Sequence, residues 1–376
     1  MNEMGSGIKL LPSIADYPRE RLFSLDLLRG LDMVLLTVVG PLVCAAQRSW
    51  NCFPEGFMRQ FGHGWDCFTL WDIIMPLFIF MCGAAMPFAM GRRLAGGKDV
   101  FWRHVLLRVA WLWFLGGLVQ GNWMDMNSRT FSPFSNTLQS IAVGYLATAA
   151  VMTVPSEKFR MLAPVALAGL YTLLLVIGGD YSRFGNFAQK VDHAILSLLL
   201  PSDNRYVANP SHYTWFLTSL MFASMTMCGF HAAQVLRAGW TEKRKAMVLF
   251  ACSAGLLLLG RVSAFWIPVI KPIFTLSFTS LAMGWCVFAL AFLYVVCDIW
   301  KIRRGLSIVL LFGQCALTAY FTSQFLRPVL NAFAHLMGDG LAAHLPKSAA
   351  GLVVCALSIV GMILIMLCRR KLRTLR

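Results

Sequence analysis

The chain has 376 residues, of which 58% are hydrophobic and 13% charged, and its mean hydropathy is +0.66. This composition excludes a soluble globular domain and reads as a polytopic membrane protein. The formal net charge of +16 does not mark a nucleic-acid partner, because the basic residues alternate between loops instead of forming one patch.

Ten apolar runs come near the ~20 residues that a bilayer requires. They cover residues 23–46, 67–90, 102–121, 134–153, 161–178, 213–236, 245–265, 274–297, 306–326 and 349–368. The expected fold is therefore all-α, a membrane bundle of about ten transmembrane helices. Residues 1–22 form a polar tail, 23–368 the membrane domain and 369–376 a basic tail. With the N-terminus placed in the cytoplasm, most of the 33 Lys and Arg residues fall on inner segments, among them Arg92, Arg93, Lys243, Arg244, Lys245, Arg303 and Arg304. By the positive-inside rule both termini are then cytoplasmic. The first run carries Asp26, Arg29 and Asp32, which argues against a cleaved signal peptide.

In that first run, Asp26, Arg29 and Asp32 are spaced three apart, so all three can share one helix face. The pattern fits a self-neutralised ion pair, or an arginine that faces an inner cavity and holds an anion. The second run is more distinctive. His63 stands at its mouth, Asp72 lies within it, and Pro76 follows four residues later. An ionisable group within the hydrocarbon suggests a functional site, and the proline is expected to kink the helix at Asp72. On a regular helix, nine residues place His63 and Asp72 ~13 Å apart. They are thus expected to mark the two ends of a polar track and not to pair directly. Asn136, Gln139, Lys271, Gln314, Thr318 and Gln324 could line that track, or could join helices to one another.

The longest non-membrane stretch, residues 178–212, is expected on the outer side, capping a cavity. Within it, residues 191–200 read as a short interfacial helix. The eleven cysteines read as packing residues and not as a metal site, although Cys52 and Cys67 flank the His63 loop and could form a disulfide.

Several blocks of the chain, taken in order, resemble the transmembrane acetyltransferases typified by heparan-alpha-glucosaminide N-acetyltransferase. They are Ser24-Leu25-Asp26-Leu27-Leu28-Arg29-Gly30, the stretch from His63 through Asp72 to Pro76, Leu138-Gln139-Ser140-Ile141-Ala142, Gly185-Asn186-Phe187 with Val191-Asp192, and Pro268 to Phe278 with Lys271. The chain departs from the family pattern at Thr37, Ser140, His193 and Ile270, and at residues 209–212. The resemblance implies an acyltransferase that moves an acetyl group from cytoplasmic acetyl-CoA, a co-substrate, to an amine or hydroxyl of an amino sugar or glycan across the membrane. It implies His63 as base or acyl carrier, and Asp72, the second catalytic candidate, is expected to keep the kinked helix and the cavity polar. Asp26, Arg29 and Gln139 are implied on the CoA side, and Asn186, Asp192 and Lys271 on the acceptor side. It calls for no metal and no nucleic acid, for membrane lipid as surroundings, and for a bacterial inner membrane or a lysosomal-type membrane as location. A homodimer is compatible with it. The competing readings are a transporter or flippase for a sugar or lipid-linked intermediate, and a non-catalytic membrane partner.

Overall fold

The computed structural model describes residues 22–209, 213–342, 344 and 346–374. Most of the N-terminal tail, residues 210–212 and the last two residues of the basic tail lie outside the described residues. The described residues are helical, apart from connecting loops and a single antiparallel bridge between Asp66 and Ile270. Among the described residues, seven helical stretches are long and apolar enough to cross a membrane: Phe23–Trp50, Leu70–Gly91, Glu157–Gly178, Ser219–Arg237, Glu242–Ser263, Leu276–Ile299 and Ala349–Arg369. The chain is an integral, multi-pass helical membrane protein.

The helices that matter for the site are α1 (Phe23–Trp50), α2 (Ile74–Ala95), α3 (Lys98–Gln120), α4 (Thr137–Met152), α5 (Glu157–Gly178), α6 (Phe187–Leu199), α7 (Ser219–Arg237), α8 (Glu242–Ser263), α9 (Leu276–Leu293), α10 (Ser307–Gln314), α11 (Ala316–Gln324), α12 (Arg327–Ala342) and α13 (Lys347–Thr374). Every one of the ten apolar runs is helical, and the three outside the group of seven differ for separate reasons. Helix α3 opens with Lys98 and Asp99 and carries Arg103 and Arg108. Helix α4 has only 16 residues. The run 306–326 is broken at Cys315, so α10 and α11 meet end to end as two short helices.

Helices pack closely where glycine removes the side chain from a crossing. A Cβ on Gly83 of α2 would lie 1.8 Å from the Thr226 carbonyl oxygen of α7, and one on Gly229 would lie 1.9 Å from the Phe80 carbonyl oxygen. The crossing is thus reciprocal, with each glycine admitting the other helix's backbone. Helices α1 and α10 repeat the device. Gly30 faces the Val309 carbonyl and Gly313 the Asp26 carbonyl, where a Cβ would fall 2.0 and 1.9 Å away. This second crossing fixes the part of α1 that carries Asp26 and Arg29. Between the helices, Phe80, Phe222, Phe230, Phe274 and Phe278 are fully buried and form the apolar centre of the bundle.

Candidate functional site

The site begins with the start of α2. A single turn of 3-10 helix, Leu70–Ile73, precedes it, and Thr69 is the N-cap. Thr69 and Asp72 form a reciprocal capping box: the Thr69 side chain takes the Asp72 backbone N–H, while the Thr69 backbone N–H donates to Asp72 Oδ2 at 2.9 Å. The pairing satisfies N–H groups that a helix start leaves without partners. Asp72 is therefore at the beginning of the helix and not inside it. Pro76 falls in the first turn of α2, just after the 3-10 turn gives way to α-helix. The proline well inside this helix is Pro87, whose carbonyl accepts from Arg237 at 2.8 Å.

Residues 60–68, just before Thr69, are not helical, and this changes the geometry of His63. Gln60 holds the loop closed, its side-chain oxygen accepting from the Leu70 N–H at 3.1 Å and its carbonyl from the Trp71 N–H at 3.0 Å. Residues 60–71 consequently double back, and His63 Nδ1 lies 2.7 Å from Asp72 Oδ1. The expected ~13 Å separation assumed a regular helix; the irregular loop replaces it with direct contact.

Lys271 joins them from a different part of the chain. Its Nζ is 3.2 Å from Asp72 Oδ1, 3.2 Å from His63 Nδ1 and 3.5 Å from His63 Nε2. The lone-pair directions of the two ring nitrogens diverge, so one ammonium cannot bond both in the ring plane. Its directional bond is the one to the carboxylate. Lys271 is placed by a tight loop before α9. The Asp66–Ile270 bridge ties that loop to the His63 loop. Thr275 Oγ1 accepts from the Ile270 N–H at 3.1 Å and donates to the Pro268 carbonyl at 2.8 Å. Burial draws the Lys271 ammonium below the usual lysine range, and the neighbouring Asp72 charge opposes that pull. Tyr213 sits close enough to feel the same carboxylate: burial first, then the Asp72 charge, push its phenol up to about 12.

Exposure sorts the cluster. The side chains of Asp72 and Lys271 are 1% and 5% exposed, whereas that of His63 is 40% exposed. His63 is thus the member that an incoming molecule can reach. Asp72 is an anchor that spends Oδ2 on the helix start and Oδ1 on the histidine and the lysine.

A separate cavity of about 770 Å³ opens among α1, α2, α3, α4, α10 and α11. Arg29, Arg93 and Arg108 all line it, with Asp26 as the acidic counterpart, and Phe78, Met81, Trp111 and Tyr320 supply apolar wall. Arg29 pairs with Asp26 at 3.4 Å, and the Arg108 guanidinium stacks over the Tyr145 ring at 4.7 Å. Along α2 the lining runs from Phe78 to Arg93, which is about 22 Å of helix axis. The break at Cys315 falls in its wall, since Gly313, Gln314, Ala316 and Leu317 all line the cavity. A broken helix is tolerated at membrane depth where it borders such a space. The near end of the cavity, at Phe78, lies six residues or about 9 Å of helix from Asp72.

The other expected site residues are placed as follows. Asp32 does not join Arg29. It is 2% exposed, and neither of its oxygens has a hydrogen-bond partner among the described residues. Asn136 caps α4 and donates to the Gly116 carbonyl at 2.6 Å. Gln139 accepts from the Ser135 N–H and donates to the Pro133 carbonyl. Both side chains serve local backbone, and neither lines the cavity. Asn186 caps α6 and donates to the Ser182 carbonyl at 2.8 Å. Asp192 accepts the N–H groups of Trp215 and Phe216 at 2.6 and 3.1 Å. The short helix expected at 191–200 is present as α6, starting four residues earlier at Phe187. The loop before it packs on the His63 loop, because Trp65 Nε1 donates to the Tyr181 carbonyl at 3.2 Å. It contributes no lining residue to the 770 Å³ cavity. Cys52 and Cys67 are both free thiols.

Arg108 is the charged lining residue that the sequence reading did not single out as a site, whereas Arg93 belongs to a basic inner segment. The signal of Arg108 was present: it carries charge within an apolar run, where such a charge needs a wet or paired setting. No protein-family model matches this chain. No curated protein matches it either.

Proposed function

We propose that the protein is a membrane-embedded acyltransferase that moves an acetyl group from acetyl-CoA to an amine or hydroxyl of a sugar or glycan. The observation that carries this reading is the cluster of an exposed imidazole, a buried carboxylate and a buried ammonium within 3.2 Å of one carboxylate oxygen or less. With Asp72 Oδ1 accepting from His63 Nδ1–H, the imidazole is held in the tautomer whose Nε2 is a free base. Nε2 removes the proton of the acceptor as its nitrogen or oxygen attacks the thioester carbonyl carbon. The carbon–sulfur bond then breaks, and the proton passes from His63 to the leaving thiolate. The Lys271 charge beside the ring favours the negative charge that develops on the carbonyl oxygen.

The arginine-lined cavity supports the co-substrate assignment. Three guanidiniums against one carboxylate suit the phosphates of a nucleotide end, and the apolar wall suits a flexible arm reaching toward His63. The resemblance noted in the sequence points to the same chemistry. In this reading the bundle has about ten spans with both ends in the cytoplasm. The cavity's Arg29 and Arg93 end then faces inward and His63 faces outward, in a bacterial inner membrane. One observation favours a transporter instead: the helix break at Cys315 in the cavity wall has the character of a gate.

The two readings separate on turnover. Purified protein is given radiolabelled acetyl-CoA and a panel of amino sugars. His63→Ala is expected to abolish transfer while acetyl-CoA still binds, and Asp72→Asn to lower turnover by about a hundredfold or more. Radiolabel retained on the denatured protein, and lost in His63→Ala, would identify the histidine as acyl carrier. Near-normal transfer by His63→Ala would remove the histidine from the mechanism, and no transfer by the wild-type protein to any acceptor would remove the acyltransferase reading.

A further inference from the structure

A second groove, of about 440 Å³, lies between α1, α11, α12 and α13. It is apolar along most of its length, through Leu36, Leu330, Ile359 and Met362, yet Arg48 and Arg327 both line it. The two arginines come from different helices, and the electrostatic influence of both reaches Cys355 on the far wall. Each uses its Nε on a carbonyl four residues earlier, Arg48 on the Cys44 carbonyl within α1 at 3.2 Å and Arg327 on the Ser323 carbonyl of α11 at 3.1 Å. Among the described residues, neither makes an ion pair. The terminal amino groups of both guanidiniums thus remain available beside an apolar slot in a membrane protein.

Two like charges converging on one groove without a carboxylate repel each other. A phosphate between them turns the repulsion into charge-assisted, bidentate hydrogen bonds. The apolar lining below requires that the phosphate come with a hydrocarbon chain. We infer that this groove is a docking site for a membrane lipid with an anionic phosphate headgroup, held by Arg48 and Arg327 with its chain along α12 and α13. The groove also touches the functional cluster. Trp71, the neighbour of Asp72, lines it, and its ring packs so closely on α1 that a Cβ at Gly40 would fall 2.1 Å away. A lipid seated here therefore rests against the turn that holds the catalytic carboxylate. The inference concerns lipid binding and does not depend on acyl transfer.

The test titrates detergent-solubilised full-length protein with phosphatidylglycerol and counts bound lipids by native mass spectrometry. The first phosphatidylglycerol is expected to bind at least about tenfold more weakly when Arg48→Gln and Arg327→Gln are combined, because two charged hydrogen-bonding groups are lost. Arg48→Lys with Arg327→Lys should retain much of the binding. Cys355→Trp, which keeps both charges and fills the groove, should weaken it as well. Three results would overturn the inference: unchanged affinity in the double glutamine variant, equal affinity for phosphatidylcholine, or full displacement of the lipid by millimolar inorganic phosphate. The last would reveal a site for a free anion only.

Discussion

Asp192 shows what a single buried carboxyl does in this protein. It gathers the backbone N–H groups of Trp215 and Phe216 and so fixes the segment that leads from Tyr213 into α7. Burial pushes its carboxyl up from the ordinary 3.8 to about 7, against the pull of those hydrogen bonds. The folded protein then holds this proton more tightly than the unfolded chain does. Its stabilising contribution is present below the unfolded value and is lost as pH rises to about 7. The melting temperature in detergent is expected to fall between about pH 4 and about pH 7, and Asp192→Asn should flatten that slope. A wild-type slope of the opposite sign, absent in the variant, would contradict the assignment. At this scale the sequence was legible for residue identity and misleading for distance. Asp72 was recognisable as an ionisable group at membrane depth, His63 as one at the mouth of the same run and Lys271 as one just before another. The pairing of His63 with Asp72 was hidden, because helical spacing was extended back past the true helix start. The signal that could have corrected it was Thr69-x-x-Asp72, a capping-box pattern that marks a helix start. Lys271 is 208 residues from His63, and no local pattern reports such a contact.

At the scale of elements, the glycine crossings set where the arginines stand. Gly313 admits the Asp26 carbonyl, so the ion pair of Asp26 and Arg29 is held against α10 and at the cavity wall. Gly313→Ala is expected to cost about 1–3 kcal/mol through overpacking and to weaken acetyl-CoA binding at the same time. Gly255 of α8 has nothing within 4 Å of where its Cβ would be. Gly255→Ala should leave stability unchanged or slightly raised. Heat-dependent loss of monodisperse protein reads both variants, and equal behaviour of the two would refute the crossing argument. The existence of these helices was readable from apolar run length alone. Their interruptions were not: the proline at 76 sits in the first turn of α2, whereas a break falls at Cys315, which is no breaker residue. A proline reports only its own missing N–H, and its effect depends on which turn it occupies. The break at Cys315 lies in the wall of a cavity, which composition does not record.

For the whole molecule, the alternation of basic loops sets the orientation to be tested. In a cysteine-free background, Ser128→Cys should react with a membrane-impermeant maleimide on intact cells, and Gly97→Cys should react only after the membrane is opened. Both positions are exposed loop residues, so access is decided by sidedness. Labelling in the reverse order would invert the topology and place His63 on the cytoplasmic side. The class of fold was legible because hydropathy and membrane thickness are tightly coupled. The division of the interior into an arginine-lined cavity, a histidine cluster and a lateral groove was not. It depends on which helices meet, and that information lies in pairs of residues far apart in the chain.

The two oxygens of Asp72 have consequences for how this sequence can drift. Oδ2 starts a helix, and Oδ1 orients a histidine. A glutamate there could still reach back to the cap, but its extra methylene would displace the imidazole. An asparagine could still accept one bond, but it would bring an amide where the lysine needs a charge. Position 72 is therefore bound twice, and position 69 is bound through it. Substitution in this region is expected to be tolerated best at residues such as Cys67, which lies between the cap and the histidine and holds neither.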